Sequence, residues 1–155
     1  MTTIKAKDAP ALVSYDEDVL LWSEQQARLL REGRFAELDI DHLADEIEDV
    51  GKSEKRELIN RCAVLLAHLL KWIYQPRLRS PSWRATVDDQ RRRIALAINE
   101  APSLKAVMRD PRWREDTWLA ARAQARKETR LREDQIPASP PWPIEQACDP
   151  DFWPD

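Results

Sequence analysis

Apolar residues recur every three or four positions along 14–130, and this period limits what the chain can fold into more than any other feature. Such spacing places the apolar side chains on one face of a helix. No run alternates apolar and polar residues as a half-buried strand would. Two glycines and eleven prolines interrupt the pattern, and they fall between the periodic segments. We therefore predict an all-α fold, a bundle of about five helices with a proline-rich C-terminal tail packed on it.

Cap residues predict where the first two helices begin and end. Ser14 and Glu17 form a capping-box pattern, and Gly33 is a natural left-handed terminator. A second helix is expected from about position 39 or 41, and Gly51 permits a bend or break after it. Its apolar stripe consists of Ile40, Leu43, Ile47 and Val50.

The third predicted helix, at about 53–74, is apolar around much of its circumference and is expected to be the centre of the bundle. Ser80-Pro81 and Asp110-Pro111 are typical helix starts and predict the fourth and fifth helices. Prolines then preclude a long regular element, so we expect residues 136–155 to wrap the bundle. The seven tryptophans are expected mainly in the core. We predict one domain over 1–155, with its core at about 14–130.

Bulk composition excludes some classes of protein. The formal charge of −3 argues against a domain that mainly coats nucleic acid. No apolar run reaches the roughly 20 residues of a membrane-spanning helix, and no signal peptide follows Met1. The two cysteines lack a paired spacing and are expected to be reduced thiols. These features predict a cytoplasmic protein without membrane contact.

Six segments stand out together: HLADEIEDVGKSE at 42–54, HLLKW at 68–72, SWRAT at 82–86, QR at 90–91, PSL at 102–104 and FWP at 152–154. With them the chain resembles a known group, the bacterial domain-of-unknown-function family 29. The resemblance covers about 15–154 and implies an α-helical domain that commonly occurs alone in small bacterial proteins. It implies no activity, because none is established for the family.

Charge is segregated along the chain. Positions 37–49 hold seven carboxylates and no Lys or Arg, whereas positions 71–93 are rich in Arg with Trp and Tyr interleaved. Arginines beside aromatic rings can bind phosphates and stack on bases, so nucleic acid is one interpretation. An acidic protein partner is another. We favour the simplest, in which the basic segment pairs with the acidic helix inside one domain.

A metal site is a weaker hypothesis. His42, Glu46 and Asp49 follow i, i+4, i+7 spacing, and His68 from the next helix would complete a set of nitrogen and oxygen ligands. The repeated Glu-x-x-His pattern of two-metal helical bundles is missing. We therefore interpret His42, Glu46 and Asp49 as a solvated helix face, and His68 as a partly buried imidazole that is hydrogen-bonded to a neighbouring helix, with Glu46 as the candidate partner. We predict no metal and no cofactor.

The candidate polar or binding cluster lies at the margins of apolar faces on three consecutive predicted helices and within the resembling segments. No nucleophile motif or phosphate-binding glycine loop is present. We favour a non-catalytic interaction module that binds a protein partner or a second copy. The alternatives are a metal-assisted hydrolase, with Arg91 as anion clamp, and a nucleic-acid-binding domain. The cluster consists of Glu46, His68, Trp72, Trp83 and Arg91.

Overall fold

The computed structural model describes residues 10–155. The described part is 72% helical and contains six α-helices and no strand, which confirms the predicted all-α bundle. The segment on which the signal-peptide prediction rests lies outside the described residues. The helices are α1 (Val19–Arg31), α2 (Ile40–Tyr74), α3 (Pro81–Glu100), α4 (Leu104–Arg109), α5 (Pro111–Glu128) and α6 (Ile144–Ala147).

Three predicted helix boundaries are found in the structure. The Ser80 side chain accepts a hydrogen bond from the Trp83 N–H at 3.2 Å and caps α3. Asp110 caps α5 in the same way, with its Oδ1 2.9 Å from the Arg112 nitrogen. Gly33 follows α1 with a φ of +70°, the left-handed conformation that glycine adopts at low cost.

The start of α1 differs from the prediction. The Ser14 N–H does donate to the Glu17 carboxylate at 3.0 Å, but this pair closes a turn that precedes the helix. Asp18 is the N-cap instead, and its carboxylate accepts from the Leu21 N–H at 3.0 Å. Ser14 and Asp18 are both capping residues and lie within five positions of each other. The helix begins after Asp18, which is the nearer of the two to the apolar pattern.

The second and third predicted helices form one continuous helix, α2, of 35 residues. Gly51 lies within it, and a Cβ atom built there would meet nothing within 4 Å. A helical glycine costs only about 1 kcal/mol relative to alanine, which neighbouring helix formers offset. The chain divides into two compact units, Met1–Gly51 and Lys52–Asp155. The single domain stays a prediction.

In the C-terminal unit, α2 supplies the centre of the core, as expected. The tail packs on this core through buried Ile136, Ile144 and Ala147, so its predicted packing is also confirmed. No tryptophan of the chain is fully exposed. The largest fully buried side chains of α2 are Leu58, Cys62, Leu65, Leu69 and Leu70.

In the N-terminal unit, the prediction that the apolar stripe of α2 faces the interior is wrong. Ile40, Ile47 and Val50 are 60–71% exposed. The interior is formed instead by α1, with Trp22, Gln25, Gln26 and Leu29 buried. Helical periodicity shows that one face of a helix is apolar, but it carries no information on what covers that face. None of the described helices is both long and apolar enough to cross a membrane.

Candidate functional site

An aromatic and polar network orders the N-terminal unit. The Tyr15 ring stacks on the His42 ring, with centroids 4.4 Å apart, and the Trp22 ring meets Tyr15 edge-on at 4.9 Å. The Tyr15 hydroxyl donates a 2.6 Å hydrogen bond to the Glu46 carboxylate, which raises the pKa of the Tyr15 hydroxyl. Glu46, the first predicted site residue, is therefore hydrogen-bonded by Tyr15, which lies in the segment before α1.

Asp39, just before α2, is the centre of the same network. Its Oδ2 atom accepts from Trp22 Nε1 at 3.0 Å and lies 2.7 Å from His42 Nδ1. Burial alone would raise the pKa of Asp39, but the hydrogen bonds from His42 and Trp22 lower it overall. The bond to Asp39 in turn raises the pKa of His42. Gln26 accepts the Asp39 backbone N–H at 2.8 Å, so α1 fixes the beginning of α2.

Most of the exposed large apolar side chains of residues 10–155 lie in this unit. Ile40, Ile47 and Val50, which we call the apolar stripe, lie within about 80° of one another around α2. Exposed apolar groups of this kind mark interaction sites when they are clustered. Five further large apolar side chains of the unit are also exposed: Leu12, Val19, Leu20, Leu30 and Phe35.

Carboxylates surround the apolar stripe. Residues 10–51 contain twelve Asp and Glu against three Arg. One of these arginines, Arg34, is already paired with Glu32 at 3.1 Å and with Glu37 at 2.5 Å. The surface of the N-terminal unit therefore combines exposed apolar side chains with a strong excess of negative charge.

The C-terminal unit holds an arginine–tryptophan cluster, defined by Trp72, Arg79, Arg84, Arg91 and Trp153. The two indole rings are 4.6 Å apart. The Arg84 guanidinium lies 4.4 Å from the Trp153 ring centre, and the Arg79 guanidinium lies 4.7 Å from that of Trp72. Each guanidinium is attracted to the electron-rich face of a ring. Within residues 10–155, neither Arg79 nor Arg84 forms an ion pair with a carboxylate.

Arg91 is a buried anchor for the tail. Its guanidinium donates to the Ala147 carbonyl at 2.9 Å, the Pro150 carbonyl at 3.3 Å and the Phe152 carbonyl at 2.6 Å. It also lies 5.2 Å from the Trp153 ring centre. The Nε, Nη1 and Nη2 atoms each donate one of these hydrogen bonds, so the side chain has a structural role and is not available to clamp an anion.

Trp83 and Lys71 form a third contact. The Lys71 ammonium is 4.8 Å from the Trp83 ring centre and 2.9 Å from the Glu128 carboxylate, although only 8% of the residue is exposed. A buried ammonium needs such partners. The observed partners of the basic segment thus lie in the C-terminal unit: Lys71 pairs with Glu128, and Arg92 and Arg93 pair with Asp89.

His68 is bonded within its own helix. Its Nδ1 atom donates to the Val64 carbonyl at 2.9 Å. Burial lowers the pKa of His68, so the ring is neutral near pH 7. The observed hydrogen-bond partner of the ring is thus the carbonyl four residues earlier in α2, and a bond from His68 to a neighbouring helix stays a prediction.

The structure therefore brings together only part of the predicted cluster. Trp72 and Arg91 both contact the Trp153 ring, Trp83 contacts Lys71, and Glu46 and His68 have separate partners. Within 10–155, no group of three or more His, Cys, Asp and Glu is arranged to hold a metal ion. The hypothetical ligand set of His42, Glu46, Asp49 and His68 has no support in this geometry.

The described fold is all-α, and an anchored proline-rich tail packs on the core of its C-terminal unit. The chain belongs to the family described as "Domain of unknown function DUF29", whose model matches residues 14–153. This match confirms the resemblance read from the sequence. No curated protein and no solved structure matches the chain. The cytoplasmic location and bacterial origin stay predictions.

Proposed function

We propose that this protein is a non-catalytic interaction module that binds a basic, amphipathic helix of a protein partner on its N-terminal unit. The observation that carries the proposal is the exposure of Ile40, Ile47 and Val50 within an acidic segment. An amphipathic helix binds by placing apolar side chains against such a stripe. Burial of each stripe residue would contribute about 1.5 kcal/mol or more.

Charge complementarity selects the kind of partner. The carboxylates beside the stripe favour a helix that carries Lys and Arg on either side of its apolar face. A second copy of the same surface is disfavoured as the partner, because the acidic residues at 10–51 of the two copies would repel each other. The pairing should depend on salt, since exposed charges are screened within about 10 Å at 0.1 M.

A synthetic peptide tests the proposal. The probe is an amphipathic helix of about 18 residues built from Leu and Lys. The controls are a Leu and Glu peptide of the same pattern and a scrambled Leu and Lys peptide. We expect only the patterned basic peptide to bind, with NMR shift changes centred on residues 40–50. Perturbation spread evenly over all acidic residues, or equal binding of the scrambled peptide, would contradict the proposal.

Matched variants locate the surface. Ile47→Ser should weaken binding of the basic peptide at least about tenfold, because an apolar anchor worth about 1.5 kcal/mol is lost. Leu119→Ser changes an exposed apolar residue of the C-terminal unit and should leave binding unchanged. Equal loss in both variants would show nonspecific association. A wild-type dimer that dissociates in the Ile47→Ser variant would instead identify the stripe as a self-association surface.

Nucleic acid is the second candidate, favoured by the arginine–tryptophan cluster. Arg79 and Arg84 are stacked on indole rings and lack carboxylate partners within the described chain, so their charge is available to phosphates. Arg84→Ala should then weaken binding of single-stranded RNA, and the affinity of the wild type should fall steeply with salt. The hydrolase hypothesis has less support, since the tail carbonyls occupy Arg91.

A further inference from the structure

A short proline-rich segment of the tail packs against α5 in the C-terminal unit. We call residues 137–142, with the sequence PASPPW, the strap. Both of its ends are fixed, because Ile136 directly before it and Ile144 just beyond it are buried in the core. Residues 138–141 between these anchors are exposed. The strap can therefore move without release of either anchor.

The Trp118 indole of α5 binds the main chain of the strap. Its Nε1 atom lies 3.2 Å from the Pro137 carbonyl oxygen and 3.1 Å from that of Ala138. Within residues 10–155, these are the hydrogen bonds that hold the strap to α5. Proline-rich segments offer free carbonyls, because a polyproline II helix has no internal hydrogen bonds, and aromatic-lined grooves bind such segments. Trp118 thus binds its own chain with the chemistry of a proline-recognition groove.

Trp113 supplies a second indole donor, which the strap does not use. Only 6% of Trp113 is exposed, and its buried Nε1 atom has no hydrogen-bond partner among residues 10–155. Trp113 and Trp118 line a cavity of about 50 Å³ together with Pro140 and Trp142 of the strap. This cavity has the volume of only about one or two water molecules, so a peptide enters only when the strap moves away. A carbonyl that reached Trp113 would satisfy a costly buried donor.

The path of the strap explains why it leaves Trp113 unused. Trp113 and Trp118 are about 7.5 Å apart along the axis of α5, which is the rise of about two to three residues of a polyproline II helix. A straight proline-rich segment with one carbonyl at Trp118 would therefore bring another close to Trp113. The strap instead bends at residues 138–139 and again at 141–142 before it reaches α6. A segment that is not tied at both ends is free to remain straight.

We propose that the groove lined by Trp113 and Trp118 docks a proline-rich segment of a partner protein, which displaces the strap and accepts hydrogen bonds from both indoles. Displacement leaves the rest of the tail in place, because Ile136 and Ile144 remain buried and Arg91 still binds the carbonyls beyond them. The groove lies in the C-terminal unit and does not depend on the apolar stripe, so each proposal can fail without the other.

A synthetic peptide tests the groove in the full chain. The probe is a capped peptide of Ala-Pro-Pro repeats, about nine residues long, because it forms a polyproline II helix. The control is an Ala-Gly-Ser peptide of equal length, which is a flexible coil. We expect the probe alone to shift the NMR signals of the Trp113 and Trp118 indole N–H groups, while those of Trp22 and Trp83 stay in place. Equal binding of the control peptide, or no shift at Trp113 and Trp118, would overturn the proposal.

Variants of the strap test displacement. The strap competes from within the same chain at about millimolar effective concentration. Replacement of residues 137–142 by a Gly–Ser linker of equal length should therefore tighten probe binding at least about tenfold. A milder double variant, Pro140→Ser with Pro141→Ser, loosens the strap if the linker variant does not fold, and it should also bind the probe more tightly than the wild type. Wild-type affinity in a folded strap variant would contradict displacement.

A single substitution tests the unused donor. Trp113→Phe removes the indole N–H but keeps an aromatic ring, so probe affinity should fall about fivefold. Hydrogen exchange of the Trp118 indole N–H, which reports opening of the strap, should not change, because the strap does not bond to Trp113. Leu119→Ser, at an exposed position of the same helix, should keep the wild-type affinity. Unchanged affinity in Trp113→Phe, or an equal loss in Leu119→Ser, would overturn the assignment of the groove.

Discussion

Arg91 shows how a single charged residue can organise a polypeptide segment. Its guanidinium remains charged even though burial lowers its pKa, because a guanidinium is not deprotonated in proteins. Charge-assisted hydrogen bonds to three carbonyls and the nearby Trp153 ring offset the cost of burial. One side chain from α3 therefore adds a polar anchor to the apolar packing of the tail.

Replacement of Arg91 should release the tail. We expect Arg91→Ala to lower the free energy of unfolding by about 3 kcal/mol, because three carbonyls lose a charged donor. Arg91→Lys should recover little, since one ammonium cannot reproduce the planar donor set. Urea denaturation followed by Trp fluorescence measures the change. Arg92→Ala removes an exposed arginine next to it and should change the free energy of unfolding by no more than about 0.5 kcal/mol. An equal effect of Arg91→Ala and Arg92→Ala would contradict the anchoring role of Arg91.

The two histidines should titrate in opposite directions. The hydrogen bond to Asp39 raises the pKa of His42 above its ordinary value of about 6.5. Burial lowers the pKa of His68, and the nearby Lys71 ammonium lowers it further, although the hydrogen bond to the Val64 carbonyl raises it. An NMR titration of the ring protons should give a midpoint above the pKa of free histidine for His42 and a midpoint below it for His68. Identical midpoints would contradict the structure.

These shifts fix the sign of each contribution to stability. His42 stabilises the fold fully below its ordinary pKa, and this contribution is lost as pH rises through its raised pKa. His68 has the opposite sign: its contribution is present above the ordinary pKa and is lost as pH falls through its lowered pKa. His68→Gln should therefore flatten the acid side of the stability profile, and His42→Gln should flatten the neutral side.

At the scale of elements, α2 continues through Gly51 because that glycine is open to solvent and has ordinary helical geometry. Gly51→Ala should raise the free energy of unfolding by about 0.5–1 kcal/mol, since alanine loses less backbone entropy. Gly33→Ala should lower it by about 1 kcal/mol, because its positive φ strains any side chain. Chemical denaturation of the two variants gives the comparison. A destabilised Gly51→Ala variant would show that α2 needs flexibility there.

Sequence signals predicted the elements better than their partners. The caps at Ser80 and Asp110 are local, so residues three or fewer positions away determine them. The bond between Tyr15 and Glu46 spans 31 positions, and no short-range pattern encodes it. The continuity of α2 was also beyond prediction, because the cost of one glycine is small beside the burial of Leu58 and its neighbours.

At the scale of the whole molecule, charge divides with the two units. Residues 10–51 carry twelve acidic side chains against three basic ones, and residues 52–155 carry twenty basic against fifteen acidic. The sequence revealed this division but not its consequence. The observed ion pairs of the basic segment lie inside the C-terminal unit, such as that of Lys71 with Glu128, and its pairing with the acidic helix stays a prediction. The acidic excess of residues 10–51 is the charge that the proposed basic partner would complement.

The carbonyl bonds made by Arg91 have a consequence for how the tail can vary. A guanidinium that recognises main-chain oxygens does not depend on the side chains attached to them. An exposed tail position such as Asp151 can therefore take other residues while the path of the backbone is preserved. The end of the chain can present new surface chemistry from an unchanged scaffold.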